Sequence, residues 1–465
     1  MNKKKKALLG VCPIGKFVFS HEDALRQKQA ILARLEQLGI EYRTVDGVIP
    51  DGMVRDQKHV DPVVQHFKNQ KIDALFVPHC NFGTEGAVGM IAKKLGVPLL
   101  LWGPRDEAPL ADGSRYRDSL CGMFASSKVI GKLGVPFTYI ENCRIDDPPF
   151  STGIQKFISA ASMVKAMRCM RIGQFGVRVD FFWTTIDNES ELLQRFGIEV
   201  LPFDMADFLQ AVKKRGERNR KTYAKELEGY RKLFQDSELL QAEGTINNLA
   251  LRDELLEIVE RERLDGLSIK TFTSIQDQLG IGLPIGNMLT QEQIPIAAES
   301  DLHGAVTSVL LEAAASVSEP SFFPEFTMRH PDNDNAILLW HGSAPLSLRH
   351  PDIETLECHP PWILKDLPGA SPRMRLKDGP LTVCRFDGES GDYVLGIGEG
   401  HTVDGPVTRE SHVWMEVDDW PRWERTIMNG PYIHHCSAVY EHCGDALEEA
   451  CKYIPGLRAE RFDRV

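Results

Sequence analysis

The residues best suited to chemistry in this chain are acids that close short apolar runs, with histidines further along. Glu299 ends the run Ile294-Pro295-Ile296-Ala297-Ala298, and Asp301 and His303 follow it. Glu325 stands among aromatic residues in Phe322-Phe323-Pro324-Glu325-Phe326. A carboxylate in such company is costly to bury ionised, so it needs a cation, a partner or a raised pKa. His341 ends Ile337-Leu338-Leu339-Trp340, and His434-His435 follow Gly430-Pro431, where the pattern predicts the start of a last helix. Two carboxylates, Glu299 and Glu325, and two imidazoles, His341 and one of the His434-His435 pair, would make a shell for a divalent cation. Their wide spacing implies a site assembled from several strands. Mixed oxygen and nitrogen donors favour Mn²⁺, Co²⁺ or Fe²⁺ over Ca²⁺ or structural Zn²⁺. Ion-paired core acids and hydrogen-bonded core histidines use the same residue types, and spacing alone does not choose between the two.

Other chemistries find little support. No GxxxxGK[ST] loop is present, and no GxGxxG follows the first predicted strand. HExxH and GxSxG are absent. The glycine-rich stretch Val394-Leu395-Gly396-Ile397-Gly398-Glu399-Gly400 reads as a turn built on positive-φ glycines. The chain is acidic, with 54 Lys and Arg against 66 Asp and Glu, a net charge of −12. Phosphate-backbone affinity comes from clustered Lys and Arg, so no nucleic-acid partner is expected. The basic run Lys3-Lys4-Lys5-Lys6 reads as a solvated tail. No apolar stretch approaches the roughly 18 residues that span a bilayer. Ala7–Cys12 is too short for a signal-peptide core and is followed by Pro13 and Lys16. Ten cysteines without a CxxC pair suit buried thiols in a reducing compartment. A cytoplasmic protein with no membrane partner is expected.

Apolar periodicity gives the elements that must position these groups. Strands are predicted at Ala7–Cys12, Tyr42–Val45, Ala74–Pro78, Pro98–Trp102 and Phe137–Ile140. Helices between them are predicted at His21–Leu38, Val60–Lys68, Gly86–Leu95 and Leu120–Leu133. Continuous apolar strands alternating with helices argue a parallel sheet covered on both faces. After a long helix at 151–170 the alternation restarts, with strands at Ile172–Val179, Ile198–Phe203, Gly266–Lys270 and Ile294–Ala298. Charged helices are predicted at 206–235 and 238–263, and another helix at Ala305–Ala315. From about residue 318 the texture becomes β-rich. Strands are predicted there at Ala336–Trp340, Leu381–Phe386, Tyr393–Ile397 and His412–Val417, with a closing helix at Cys436–Tyr453. The fold class is therefore α/β. Two doubly wound parallel α/β domains, 1–167 and 168–317, precede a β-rich, barrel-like domain, 318–465. The second domain carries Glu299, and the third would complete the site.

The chain resembles the L-fucose/L-arabinose isomerase family. Ala297-Ala298-Glu299-Ser300-Asp301-Leu302-His303-Gly304 resembles the family segment that carries the first metal carboxylate. Phe323-Pro324-Glu325-Phe326 resembles the second-carboxylate segment, with Glu as in L-arabinose isomerases where L-fucose isomerases have Asp. His341 falls where L-arabinose isomerases have a further metal-site histidine. Tyr432-Ile433-His434-His435-Cys436, with His442 and Gly444 downstream, resembles the C-terminal histidine segment, in a register that favours His435. Ile397–Val403, Arg178–Asp204 and Leu101-Trp102-Gly103 resemble segments outside the site, so the likeness reaches all three predicted domains. The chain is shorter than a typical L-fucose isomerase.

The resemblance implies an aldose–ketose isomerase that moves a proton between C1 and C2 through an enediol(ate). It implies Mn²⁺, with Co²⁺ as a substitute, held by Glu299, Glu325, His341 and His435. Glu299 and Glu325 would also transfer protons, and His341 would act as ligand or orienter. It further implies a homo-oligomer, a hexamer or trimer, with the active site near a subunit interface. His303 is a candidate substrate contact. Lys16 follows the first predicted strand, where parallel sheets place ligands. Arg105 lies in Gly103–Gly122, a segment that also carries Arg115 and Arg117 and does not align with the family. These cations suit either an anionic sugar substituent, as on a sulfonated or phosphorylated hexose such as sulfoquinovose, or ordinary surface charge. The reading from another class is a sugar-binding protein without turnover, because two α/β domains in series also suit that role.

Overall fold

A computed structural model of the chain describes residues 6–235, 243–280, 285–359 and 371–464. Lys3, Lys4 and Lys5 of the basic run lie outside the described residues, as do 238–242 of the second charged helix. The chain divides into two compact units, Lys5–Lys165 with Glu449–Pro455, and Ala166–Glu448 with Gly456–Val465.

The first unit holds a parallel five-stranded sheet. Its strands are β1 (Leu9–Val11), β2 (Tyr42–Thr44), β3 (Ala74–Pro78), β4 (Leu99–Trp102) and β5 (Thr138–Tyr139), in the order β2-β1-β3-β4-β5. β1, β3 and β4 are buried along their whole length, as their unbroken apolar runs require. The helix His21–Gln37 starts where the Ser20 side chain accepts from the Asp23 N–H. The core packs Phe67, Leu75, Val77, Ile91, Leu101 and Ile130. Glu449 and Tyr453 return to this unit, where both bond to Thr138 Oγ1 at 2.7 Å. Arg117 is neither a surface charge nor open to a ligand. It is 1% exposed and paired with Asp23 (2.7 Å), Asp106 (3.2 Å) and Glu107.

The second unit holds two sheets. The parallel one has β6 (Arg171–Phe175), β7 (Glu199–Phe203), β8 (Gly266–Ile269) and β9 (Ile296–Ala297), in the order β7-β6-β8-β9. The other has nine strands: β10 (Glu325–Arg329), β11 (Ala336–His341), β12 (Glu357–His359), β13 (Ser371–Arg375), β14 (Pro380–Glu389), β15 (Asp392–Val403), β16 (Ser411–Glu416), β17 (Ser437–Val439) and β18 (Leu457–Arg461). Its path runs β10-β11-β16-β15-β14-β17, and it is antiparallel except where β13 meets β16 and β18 meets β15. The α/β class with a separate β-rich C-terminal sheet is thus as expected.

Two local expectations fail. The closing helix covers only Gly444–Cys451. The residues before it are extended because their backbone groups are taken by a sheet: Cys436 N donates to Pro324 O at 2.9 Å, and β17 pairs with β14. Val394–Gly400 is not a turn but the middle of β15, with none of its glycines at positive φ. Gly398 serves close approach instead, since a Cβ there would collide with the Trp423 indole.

Candidate functional site

Glu299 sits two residues beyond β9, at the carboxyl end of a parallel strand. Glu299 and Ser300 both have left-handed backbones, with φ of 62° and 59°. For non-glycine residues this costs about 1–2 kcal/mol each, and such strain gathers at functional sites. Neighbouring strand ends hold the turn: Glu299 N donates to Thr271 Oγ1 at 3.2 Å, and Ser300 N to Ile269 O at 3.0 Å. The next residue, Asp301, caps the helix Leu302–Ala314 by accepting from Gly304 N at 2.8 Å. Gly304 is required there, since a Cβ would meet Phe323 at 2.5 Å and Asp301 at 2.7 Å.

Glu325 and His341 come from β10 and β11 of the nine-stranded sheet, and His435 lies two residues before β17. Glu325 lies directly opposite His435 in an antiparallel bridge, fixed by Phe326 N to His434 O and Cys436 N to Pro324 O, both 2.9 Å. Glu325 also pairs across to Trp340, the neighbour of His341 at the end of β11. His435 Nε2 is 3.2 Å from Glu299 Oε2 and 3.8 Å from Glu325 Oε1. One donor atom from each of Glu299, Glu325, His341 and His435 lies within 4.8 Å of all the others. The structure therefore brings together all four residues singled out in the sequence.

Three atoms in this cluster, Glu299 Oε2, His341 Nε2 and His435 Nε2, are buried and make no hydrogen bond among the described residues. Leaving buried polar atoms unmatched is costly. A divalent cation suits two carboxylates and an imidazole lone pair, so the donor set fits one. The electrostatics agree. Burial, reinforced by the charge of Glu299, pushes the Glu325 carboxyl up to about 7 against the pull of His435. Burial would also raise Glu299, but the contact with His435 and the charge of the nearby imidazoles hold it below its ordinary value. Burial opposes charge on His435, yet the hydrogen bond to Asp301 and the Glu299 carboxylate 3.2 Å away lift it to about 9. His341 is driven down to about 4 by burial, with Glu299 opposing.

Behind the cluster runs a buried polar line. Asp301 Oδ2 is 2.9 Å from His435 Nδ1. Arg385, 2% exposed, grips both Asp301 oxygens, and its Nε donates to Asp387 Oδ2 at 2.9 Å. Burial would raise the Asp301 carboxyl, but Arg385 and His435 hold it well below the ordinary range. Asp387 Oδ1 in turn meets His303 Nδ1 at 3.2 Å. His303 thus turns to Asp387 and is not one of the four clustered residues. His434 is exposed and its ring lies beside that of His435. Sequence reasoning missed Arg385 and Asp387. The available signal was an arginine inside the apolar run Leu381–Phe386, a position that needs buried acids nearby.

Lys16 and Arg105 belong to the first unit. Lys16 Nζ pairs with Glu85 at 3.1 Å and lies 4.4 Å from the Phe82 ring centre. Arg105 is exposed and has no ion-pair partner among the described residues. No helix among the described residues is long and apolar enough to cross a membrane.

Comparison with known proteins places these features. Residues 10–168 match the fucose/sulfoquinovose isomerase N-terminal domain, and residues 368–456 match the L-fucose isomerase C-terminal domain. The sulfoquinovose isomerase of Priestia aryabhattai is 24% identical over 449 residues, covering 94% of each chain, and that of Priestia megaterium gives the same figures. The sulfoquinovose isomerase of Alkalicoccus urumqiensis is 23% identical over 337 residues, covering 72% of this chain and 73% of its own. Among solved structures, a periplasmic solute-binding protein of Actinobacillus succinogenes 130z with bound D-allose covers 58% of this chain and 81% of its own, at 12% identity and a TM-score of 0.16, a value that carries no argument. Two matching domains and relatives aligned almost end to end give the conclusion: the chain belongs to the L-fucose isomerase family and is an aldose–ketose isomerase.

Proposed function

We propose that the chain interconverts a sulfonated aldose of the sulfoquinovose type with its ketose, and that the reaction depends on a divalent cation held by Glu299, Glu325, His341 and His435. The observation that carries the cation is the meeting, at one place, of unmatched buried atoms of Glu299, His341 and His435 with a carboxylate oxygen of Glu325. The substrate class rests on the relatives, which are named sulfoquinovose isomerases over nearly the whole chain. Mn²⁺ is the expected ion, with Co²⁺ as a substitute.

The chemistry is redox-neutral. A base takes the proton from C2, the electrons of that C–H bond form the C1–C2 double bond, and the C1 carbonyl oxygen gains a proton. The C2 hydroxyl then loses its proton to become the carbonyl, and C1 gains the new C–H bond. In this reading Glu299 and Glu325 carry these protons, supported by their facing one buried site. A bound divalent cation would supply Lewis-acid stabilisation of charge on adjacent sugar oxygens.

Chelation followed by reloading tests this reading. The chelated protein should lose turnover of sulfoquinovose and regain it with Mn²⁺. The neutral counterpart, glucose, should be converted at a much lower kcat/KM. Full activity in chelator, or an equal rate with glucose, would overturn the cation or the substrate class respectively.

A further inference from the structure

The parallel sheet of the second unit runs β7-β6-β8-β9, so its strand order reverses between β6 and β8. In open parallel sheets, ligands settle in the crevice outside the carboxyl ends at such a reversal. Gly176 is the first residue after β6 and Lys270 the first after β8. The register sets Lys270 beside the buried cluster. Ser268 pairs with Ala297, so Lys270 and Glu299 stand level, each two residues past that pair, on strands about 4.8 Å apart. The residues on either side of Lys270 hold the Glu299 turn: Ile269 O accepts from Ser300 N, and Thr271 Oγ1 from Glu299 N.

The Lys270 stem turns away from Glu299 and lies over Gly176. A Cβ on Gly176 would stand 3.1 Å from Lys270 Cβ and 3.5 Å from its Cδ. The glycine, at φ 81°, leaves that room. Lys270 is half-buried, and its ammonium makes no ion pair or hydrogen bond among the described residues. By contrast Arg215, Arg252 and Lys377 of the same unit each hold a glutamate. A partly desolvated cation without a counter-charge is costly. The other cation at the crevice, Arg178, is spent on its own loop, donating to Val179 O at 2.9 Å and Phe182 O at 3.0 Å. Phe272 closes on that loop, its ring centre 6.0 Å from that of Phe181 and 6.1 Å from that of Phe182. Apolar walls of this kind strengthen an ion pair formed beside them.

We infer that the Lys270 ammonium receives the sulfonate of the substrate and selects a sulfonated aldose over a neutral one. This rests on the sulfonated-substrate reading above. Sulfoquinovose carries its sulfonate on C6, at the opposite end of the sugar from the reacting C1–C2 unit. An anchor for it must lie beside the cluster without belonging to it, and Lys270 does. An ammonium is a compact charge with three donors, suited to the oxygens of a sulfonate. Glucose offers only a C6 hydroxyl there and leaves the ammonium without a counter-charge.

Two measurements test this on wild type, Lys270→Met and Lys270→Gln, each checked for folding by thermal melting. Both variants keep most of the stem and remove the charge. First, binding of sulfoquinovose and of glucose to cation-free protein is read by calorimetry. Wild type should prefer sulfoquinovose, and that preference should fall at least about 10-fold in both variants, as expected for loss of a charge-assisted bond. Second, kcat/KM is measured for both sugars with Mn²⁺. The ratio of sulfoquinovose to glucose should fall by a similar factor, chiefly through KM, and Lys270→Arg should keep most of it. An unchanged ratio in the uncharged variants, beside a wild type that prefers sulfoquinovose, would overturn the inference and leave the substrate class standing. An equal loss with both sugars would show a structural role and overturn it too. A wild type that does not prefer sulfoquinovose would overturn the sulfonated-substrate reading itself, and this inference with it.

Discussion

Asp301 Oδ2 accepts from His435 Nδ1 at 2.9 Å, while the same carboxylate caps the helix Leu302–Ala314 and is held by Arg385. One side chain thus joins the first turn of a buried helix to the orientation of the site histidine. Replacing Asp301 with Ala removes the cap, worth about 1 kcal/mol. It also leaves Arg385 as a buried charge held only by Asp387, and breaking a buried pair costs about 3–5 kcal/mol. Asp301→Ala is expected to lower unfolding stability by several kcal/mol in cation-free denaturant titrations. A loss under 1 kcal/mol would show that Arg385 finds another partner.

Glu299→Gln keeps the shape of the side chain and removes its charge. The strained turn is held by backbone bonds to Thr271 and Ile269, so the fold should survive. Turnover should fall by at least 1000-fold, since the variant loses a cation ligand and a proton carrier together. A wild-type rate in this variant would remove Glu299 from the mechanism.

Cation binding should tighten as pH rises. In the metal-free site Glu325 holds its proton up to about 7 and His435 up to about 9. Both must lose that proton to ligate, so protons compete with the cation below those values. Apparent Mn²⁺ affinity should climb from pH 6 to 8, with protons released on binding. Calorimetry in buffers of different ionisation enthalpy reads this directly. No proton release at pH 6.5 would mean that these groups do not ligate.

Gly304→Ala puts a methyl group against the Phe323 ring and the Asp301 carboxylate. Overpacking of this kind costs about 1–3 kcal/mol. Because both neighbours adjoin the site, activity should fall as well as the melting temperature. Unchanged activity in a destabilised variant would confine the role of Gly304 to packing.

Much of this was legible in the sequence, for physical reasons. Ala74–Pro78 is a buried parallel strand, so its apolar run has the same limits as the element. Glu299, Glu325, His341 and His435 stood out because acids and histidines at the ends of apolar runs need a reason to be there. The closing helix was misjudged because 434–439 is extended by pairing with 322–326 and β14, and distant partners leave no local periodicity. The line from Asp301 through Arg385 to Asp387 and His303 was hidden for the same reason: its members are far apart in sequence.

The most direct test of a cation-dependent isomerase is hydrogen exchange at carbon. Cation-free protein is placed in D₂O with sulfoquinovose, with and without added Mn²⁺. Reactions are quenched, the metal removed, and the sugars read by NMR. The expected result is ketose formation with deuterium at C1, and deuterium at C2 of the recovered aldose, only in the Mn²⁺ sample. Equal ketose formation and deuterium incorporation without any divalent cation would contradict the account.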